Sequence, residues 1–300
     1  MGQAAAVMKK KDKKGKGKGK GKEKKRKKTL AEKADRHALY EESVQCPEED
    51  VEFFGKTFKE LRGRRANVLR EDFCGTSKMA VEWCLSHPDR TAIGIDLDQP
   101  TIEWGRERHV LPNARKLGDR LTVYNANVLE PRTEKADVTC ACNFSFCVFK
   151  KRDELKEYLT KARDGLADDG LLFLEIYGGT EATAVTDEER ECDGYEYVWD
   201  QHSFNPLTAE TLCYIHFRFP DDSSIEKAFV YDWRLWSIPE LDDLLREVGF
   251  SEVKVFWEQL EDDDGDEDGD MLWGNGEYDD VTGKDVEQQE SFLVYVVGVK

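Results

Sequence analysis

The spacing of apolar and polar residues along the chain predicts alternating strands and helices. Five short apolar runs are typical of strands, at 66–71, 91–96, 121–125, 137–142 and 171–177. Stretches with helical periodicity lie before and between them, at 35–44, 48–62, 77–86, 100–109 and 152–166. Such alternation predicts an α/β protein, with a parallel sheet and helices on both of its faces.

The pattern changes after Gly178. A polar loop is predicted at 179–193, followed by three strand-like segments at 195–204, 209–219 and 225–236. Turn-forming residues separate the three segments, which indicates an antiparallel meander inserted at 195–237. The remaining elements are a helix at 238–248, a strand at 251–258, an acidic loop at 261–284 and a strand at 291–299. Seven strands are therefore expected in the main sheet.

Charge is distributed very unevenly along the 300 residues. Residues 1–34 form a tail rich in Lys and Gly, which cannot bury apolar area and is expected to be disordered. Within it, residues 1–28 have a net charge of +12, whereas the whole chain has −18. The tail is interpreted as a nuclear or nucleolar address, an arm attracted to RNA or membrane, or a solubilising segment. The acidic remainder argues against a broad nucleic-acid-binding face.

Several function classes are disfavoured by what the sequence lacks. No apolar stretch is long enough to span a membrane, and no signal peptide is recognised, so a cytoplasmic or nuclear location is expected. The eight cysteines include no Cys-x-x-Cys pair, so we expect reduced thiols and no zinc site. None of the five histidines lies in a recognisable nucleophile motif, and a hydrolase is not supported.

The first candidate for a functional site lies between the first strand of the alternating region and the helix that follows it. Residues 71–77 read Glu-Asp-Phe-Cys-Gly-Thr-Ser. In an open α/β sheet, a nucleotide-type ligand binds beyond the carboxyl ends of the strands, where a glycine lets the backbone come close. This loop is the expected ligand site.

The loop resembles the cofactor motif of class I S-adenosylmethionine-dependent methyltransferases, in which an apolar strand and an acid precede Gly-Cys-Gly-Thr-Gly. Glu71 matches the acid, and Cys74, Gly75 and Thr76 match in register, while Phe73 and Ser77 replace the outer two glycines. The resemblance covers roughly residues 36–300 without the meander and the acidic loop. It implies a Rossmann-like sheet of seven strands, whose last strand lies antiparallel between its neighbours. It also implies S-adenosylmethionine as cofactor, with the N-terminal helices as a cover.

An acid at the end of the second strand supports this interpretation. Asp96 follows Gly75 by 21 residues, and an acid at about that distance hydrogen-bonds ribose hydroxyls in dinucleotide enzymes. A carboxylate there suits the ribose of S-adenosylmethionine as well, with Leu97 beside it. The alternative is that Asp96 or Asp98 merely caps the next helix. An NAD or nucleotide-sugar enzyme is disfavoured, because the loop lacks the glycine spacing that a pyrophosphate requires.

Two further segments are assigned through the resemblance. Asn127 and Val128 follow the third strand, where the family contacts adenine, although a plain turn asparagine explains Asn127 equally well. Asn143 and Phe146 end the fourth strand, where some amine-methylating relatives carry Asn-Pro-Pro-Tyr or Phe. Both prolines are absent here, so direct base or amide methylation is in doubt. Asn143 is expected near the transferred methyl group.

No catalytic residue is nominated, because methyl transfer needs mainly alignment and desolvation. The candidates for lining a substrate pocket, besides Asn143 and Phe146, are Tyr40, Gln45, Tyr177, Trp233 and Trp236. Aromatic walls suit a cationic amine, and they suit plain core packing as well.

Three functional hypotheses remain open. The leading one is a methyltransferase acting on a small molecule in a closed pocket. The second is an RNA or protein methyltransferase, with residues 9–28 recruiting nucleic acid or a nuclear import receptor. The third is a cofactor-binding module that has lost activity, suggested by the two missing glycines.

Overall fold

The computed structural model describes residues 26–260 and 274–300. Its helices are α1 (Arg36–Val44), α2 (Pro47–Arg62), α3 (Lys78–Ser86), α4 (Gln99–Gly105), α5 (Leu111–Leu117), α6 (Arg152–Gly165) and α7 (Ile238–Glu247). Its strands are β1 (Val68–Asp72), β2 (Thr91–Asp96), β3 (Leu121–Asn125), β4 (Ala136–Ala141), β5 (Leu166–Gly178), β6 (Thr186–Cys192), β7 (Tyr195–Asn205), β8 (Glu210–Arg218), β9 (Ser224–Arg234), β10 (Glu252–Leu260), β11 (Gly274–Asp280) and β12 (Phe292–Val299). Within the described ranges, no helix is long and apolar enough to cross a membrane.

The main sheet has the order β11-β10-β12-β5-β4-β1-β2-β3. Strands β1 to β5 pair in parallel, and every residue of β4 is buried, as expected for a strand covered on both faces. Strand β12 lies antiparallel between β5 and β10. The expected Rossmann-like arrangement with an inserted last strand is therefore confirmed.

Two apolar cores flank this sheet. One lies under α6 and α7 and includes Tyr158, Leu159 and Leu244. The other lies under α2 and α3 and includes Phe54, Phe58 and Trp83. All three of the last side chains are fully buried. The helices thus cover both faces of the sheet, as the alternation of elements predicts.

The main sheet has eight described strands rather than the expected seven. Part of the predicted acidic loop at 261–284 forms the edge strand β11, which pairs antiparallel with β10. Residues 261–273 of that loop lie outside the described residues. The sequence of β11, Gly-Asn-Gly-Glu-Tyr-Asp-Asp, has one large apolar side chain, because an edge strand needs little apolar surface.

The inserted meander is a separate sheet of four strands in the order β6-β7-β8-β9. The polar loop predicted at 179–193 was wrong over Thr186–Cys192, which is β6. Its seven residues include four acids and one arginine, so the hydrophobic pattern of a strand is absent. It is also an edge strand, held by seven residue pairings with β7.

The predicted helix at 100–109 continues much further, to Leu117. A π-helical turn at Arg106–Val110 joins α4 to α5. Pro112 favours an earlier end, but it occupies the second position of α5, where its missing N–H is harmless. The helical stretch ends at Gly118, whose φ is +55°.

The described chain begins within the predicted tail. The backbone N–H of Leu30 donates to Asp221 at 2.9 Å, and that of Ala31 donates to Ser223 at 3.1 Å. Leu30 and Ala31 are therefore attached to the turn between β8 and β9, and the tail boundary at residue 34 stays a prediction. Residues 1–25 lie outside the described residues.

Candidate functional site

A cleft of about 400 Å³ opens at the carboxyl ends of the parallel strands. Its floor is formed by β1, β2, β4 and β5, and its cover by α1, the start of α2 and β9. Its lining residues include His37, Tyr40, Gln45, Asp50, Glu71, Phe73, Cys74, Gly75, Thr76, Asp96, Asp98, Asn143, Glu175, Phe229, Tyr231, Glu258 and Tyr278. Such a volume is typical of small-molecule sites.

We call residues 71–77 the glycine loop. Two of its residues other than glycine have a left-handed backbone, which glycine adopts most readily. Phe73 has a φ of +59° and Ser77 has a φ of +60°, and Gly75 between them has +49°. The left-handed region costs a non-glycine residue about 1–2 kcal/mol. At both positions where the motif has glycine, this chain therefore has a conformation that glycine adopts without cost, and such strain is concentrated at functional sites.

A glycine that the sequence analysis missed lets the glycine loop lie against α4. A Cβ atom on Gly105 would be 2.5 Å from the carbonyl carbon and 2.6 Å from the Cα of Thr76. Real Cβ atoms stay at least 3.0 Å from such atoms. In the sequence, this contact is indicated only by an isolated glycine within a helical pattern. Such a glycine usually marks a place where another part of the chain packs closely.

Asp96 holds the glycine loop from the end of β2. Its Oδ2 accepts the N–H of Gly75 at 2.8 Å, and its Oδ1 accepts the N–H of Asp98 at 2.8 Å. Asp98 occupies the position before α4, but its side chain accepts no backbone N–H of that helix. Simple helix capping therefore does not explain either acid. Asp96 remains partly exposed and lines the cleft.

Glu71 lies beneath the glycine loop and is nearly fully buried, with 8% relative exposure. Its Oε2 accepts the N–H of Ala80 at 3.0 Å, which ties β1 to the first turns of α3. Burial raises the pKa of Glu71 to about 8, and the neighbouring carboxylate of Asp96 adds to the rise. The carboxyl group therefore holds its proton at neutral pH.

A buried ion pair connects the glycine loop to the segment after β3. Arg70 donates to Asp72 at 2.8 Å and to the carbonyl of Val128 at 3.1 Å. Tyr158 donates to the other oxygen of Asp72 at 3.1 Å. Breaking such a buried pair is strongly destabilising. The network fixes the two segments relative to each other.

Helix α1 is connected to the glycine loop through one shared carboxylate. Glu41 accepts the hydroxyl of Thr76 at 2.5 Å and also contacts Nε2 of His109 at 2.7 Å. His109 lies in the π-helical turn, a feature that is frequent at functional sites. At the start of α1, Asp35 accepts Nε1–H of Trp104 at 2.7 Å. These contacts hold α1 over the cleft, as the predicted N-terminal cover requires.

Asn143 has a φ of +50° just after β4, and its backbone N–H donates to Oε2 of Glu175. Tyr40 approaches the cleft from α1, with its ring centroid 4.7 Å from that of Phe229 on β9. Gln45 also lines the cleft, and its buried Oε1 accepts no hydrogen bond from the described residues. Predicted substrate-facing residues from separate parts of the chain therefore meet here.

Other predicted site residues do not line the cleft. Phe146 is fully buried in a 3₁₀ turn, so the structure does not support a substrate-facing side chain there. Val128 is buried, Leu97 is 69% exposed, and the Oδ1 of Asn127 accepts the N–H of Leu129 in its own turn. The three remaining aromatic candidates pack away from the cleft, Tyr177 against Phe144, Trp233 against Tyr231, and Trp236 within the core.

The cleft is strongly acidic. Eight carboxylate side chains line it, and His37 is the single basic residue found among its described lining residues. S-adenosylmethionine carries a sulfonium and an ammonium group against one carboxylate, so the lining fits a cationic ligand of this kind. The left-handed backbone of the glycine loop allows a ligand of this kind to come close to it.

Solved structures share this fold at low sequence identity. An S-adenosylmethionine-dependent methyltransferase from Clostridium acetobutylicum has a TM-score of 0.62 and 14% identity, covering 88% of this chain and 97% of its own. An amino pentose methyltransferase from Micromonospora echinaspora, with S-adenosylmethionine bound, has a TM-score of 0.60 and 12% identity, covering 88% and 96%. A sugar N-methyltransferase from a Streptoalloteichus species has a TM-score of 0.57 and 15% identity, covering 92% and 95%.

These likenesses establish that the chain has the class I methyltransferase fold, with a second antiparallel sheet added. No family model matches the chain, and no curated protein sequence matches it.

Proposed function

We propose that this protein is an S-adenosylmethionine-dependent methyltransferase that acts on a small-molecule acceptor. The observation that carries the proposal is the glycine loop. Phe73 and Ser77, which replace the outer two motif glycines, have a left-handed backbone that favours glycine, and Asp96 accepts the N–H of Gly75 between them. A loop that had lost its ligand would have no reason to retain this strain, which supports a cleft that still binds its cofactor.

The cofactor residues follow from this geometry. Asp96 would bind the ribose hydroxyls, and the backbone of residues 73–76 would contact the methionine part. Glu71 would support the loop from below, through its hydrogen bond to the N–H of Ala80. The cofactor would supply a methyl group already activated on a sulfonium. The protein then has to align the acceptor and exclude water.

The surroundings of the cleft favour a small acceptor. Helix α1 and the second sheet cover the cleft, and Ser43 of α1 hydrogen-bonds Tyr195 of β7 at 2.8 Å to join the two. An RNA backbone would bring phosphates towards eight carboxylates. A fold neighbour that acts on an amino pentose supports the same size class.

Calorimetric titration of the full chain with S-adenosylmethionine tests the proposal. We expect binding of S-adenosylmethionine and no binding of NAD. Asp96→Ala should weaken cofactor binding about 10- to 100-fold, because it removes a charged hydrogen-bond acceptor. Asp119→Ala, an exposed acid beyond α5, is the matched control and should leave the affinity unchanged. The proposal is wrong if S-adenosylmethionine does not bind, or if Asp96→Ala binds it as well as the unmodified chain.

A further inference from the structure

The acids in one half of the cleft are not explained by the sulfonium of the proposed cofactor. Glu175 on β5 and Glu258 on β10 line this half, three and five strands away from the strand of Asp96. At about 4.8 Å per strand, these separations are roughly 14 and 24 Å. The sulfonium sulfur is bonded directly to the ribose methylene, so a ribose held at Asp96 keeps that positive centre away from β10.

Three carboxylates converge in this half, and we call them the carboxylate cluster: Asp50, Glu175 and Glu258. Glu175 is paired in register with Tyr295, and Tyr295 is paired with Phe256. Glu258 lies two residues beyond Phe256 and therefore on the same face as Glu175. Asp50 reaches this face from α2 and accepts the hydroxyl of Tyr295 at 2.7 Å. Three separate elements thus bring their acids together.

The described residues give the cluster few hydrogen-bond donors. Glu175 has 9% relative exposure, and Asn143 donates to its Oε2 alone. No donor to its Oε1 and no lysine or arginine lining the cleft is found in residues 26–260 and 274–300. Burial raises the pKa of Asp50 and Glu175, and it raises that of Glu258 to about 7. Burying carboxylates without a counter-ion is costly, so the arrangement favours a ligand that brings positive charge.

Aromatic side chains line the same cleft. Tyr40, Phe229 and Tyr231 approach from the cover, and Tyr278 approaches from β11. Aromatic faces attract organic cations, and most strongly where water is excluded. Carboxylates and aromatic rings together are the usual surroundings of a bound ammonium group.

We propose that the carboxylate cluster and its aromatic walls bind an organic ammonium group, so that the methyl acceptor is an amine of a small molecule. This inference rests on the proposed function, because it assigns the second substrate of the same cleft. It is carried by the convergence of the three acids, the incomplete pairing of Glu175 and the aromatic lining. A neutral hydroxyl acceptor would leave the cluster without a counter-ion.

A matched pair of ligands tests the preference for charge. Choline and 3,3-dimethylbutan-1-ol have the same shape, but only choline carries a positive charge. Binding of each is measured by calorimetry on the full chain, with and without saturating S-adenosylhomocysteine. We expect choline to bind at least about tenfold more tightly than the neutral isostere. Equal affinities, or no binding of either compound, would overturn the inference.

Variants of the carboxylate cluster test whether these acids cause the preference for choline. Glu175→Gln and Asp50→Asn remove charge while keeping side-chain shape, and each should reduce choline affinity about tenfold. Glu52→Gln is the control, because Glu52 is exposed on the same helix as Asp50 and lies outside the cleft. Choline affinity that is unchanged in both cluster variants contradicts the assignment. If a variant does not fold, the comparison of the two ligands on the unmodified chain still decides.

The same titrations separate the two proposals. Failure of S-adenosylhomocysteine to bind counts against the proposed function. Normal binding of S-adenosylhomocysteine without any choline preference counts against the amine acceptor alone.

Discussion

Replacing Gly105 by alanine would place one methyl group against the backbone of the glycine loop. Its Cβ would lie 2.5 Å from the carbonyl carbon of Thr76, and closer still to the carbonyl oxygen. Since real contacts begin at 3.0 Å, Thr76 or α4 must move by at least the difference. Overpacking of this kind costs about 1–3 kcal/mol, against a gain of about 1 kcal/mol from better helix propensity.

We expect Gly105→Ala to weaken ligand binding more than it lowers the free energy of unfolding. A net loss of about 1 kcal/mol lowers the melting temperature of a domain this large by only a few degrees. A loop displaced towards its ligand loses several aligned contacts together, and a misplacement of about 1 Å can cost about 100-fold in rate. We therefore expect S-adenosylmethionine to bind Gly105→Ala at least about tenfold more weakly, as measured by calorimetry.

Gly55→Ala is the matched control for this experiment. Gly55 also lies within a helix, α2, but its added Cβ would meet the end of the Arg90 side chain at 2.5 Å rather than backbone. A side-chain end can move away, so cofactor affinity should be unchanged. If Gly105→Ala binds S-adenosylmethionine like the unmodified chain, the glycine loop is not the cofactor site.

Three further variants probe the supports of the glycine loop. Glu71→Gln should flatten the pH dependence of the stability of the cofactor-free protein. The folded chain keeps the Glu71 proton up to about pH 8, whereas the unfolded chain releases it near 4.5. The stability of the unmodified protein therefore falls as the pH rises between these values, by at most about 1.4 kcal/mol per pH unit. Chemical denaturation between pH 5 and 8 measures this, and equal slopes for both proteins would refute it. Glu41→Gln weakens the acceptor of Thr76 and should cost about 1.5–3 kcal/mol of stability, whereas exposed Glu42→Gln should be neutral. Ser77→Gly should relieve the left-handed strain and raise stability by about 1 kcal/mol without loss of cofactor affinity; a lower melting temperature would contradict the strain.

The parts of the site that are local in sequence could be predicted. Strand, loop and helix follow each other directly around Gly75, and Asp96 ends the next strand in the chain. The parallel order of the strands then brings both to one edge of the sheet. Apolar runs also predicted the strands of the main sheet apart from β11, because most of these strands are buried on both faces.

The parts assembled from distant segments could not be predicted. Glu41 and Asp50 lie beside other acidic residues in predicted helices, and Glu258 ends a predicted strand just before the acidic loop. For charged residues at such positions, a solvated surface is the ordinary interpretation. Their burial depends on the packing of α1, α2 and β11 over the cleft, which no local pattern encodes.

For Phe146, the sequence predicted a substrate contact that the structure does not support. Its motif suggested a substrate contact, but Asn143 and Phe144 have φ values of +50° and +57°. This reversal leads into a short 3₁₀ turn that directs Phe146 into the core. A family motif without its prolines therefore did not determine where its aromatic side chain would lie.

Methyl transfer itself is the most direct test of the central claim. The full chain is incubated with S-adenosylmethionine labelled in its methyl group and with separate metabolite, RNA and protein fractions, and the products are analysed by mass spectrometry. We predict label in a small molecule of the metabolite fraction, with an equal amount of S-adenosylhomocysteine formed. Label in RNA or protein alone, or no S-adenosylhomocysteine with any fraction, would contradict a small-molecule methyltransferase.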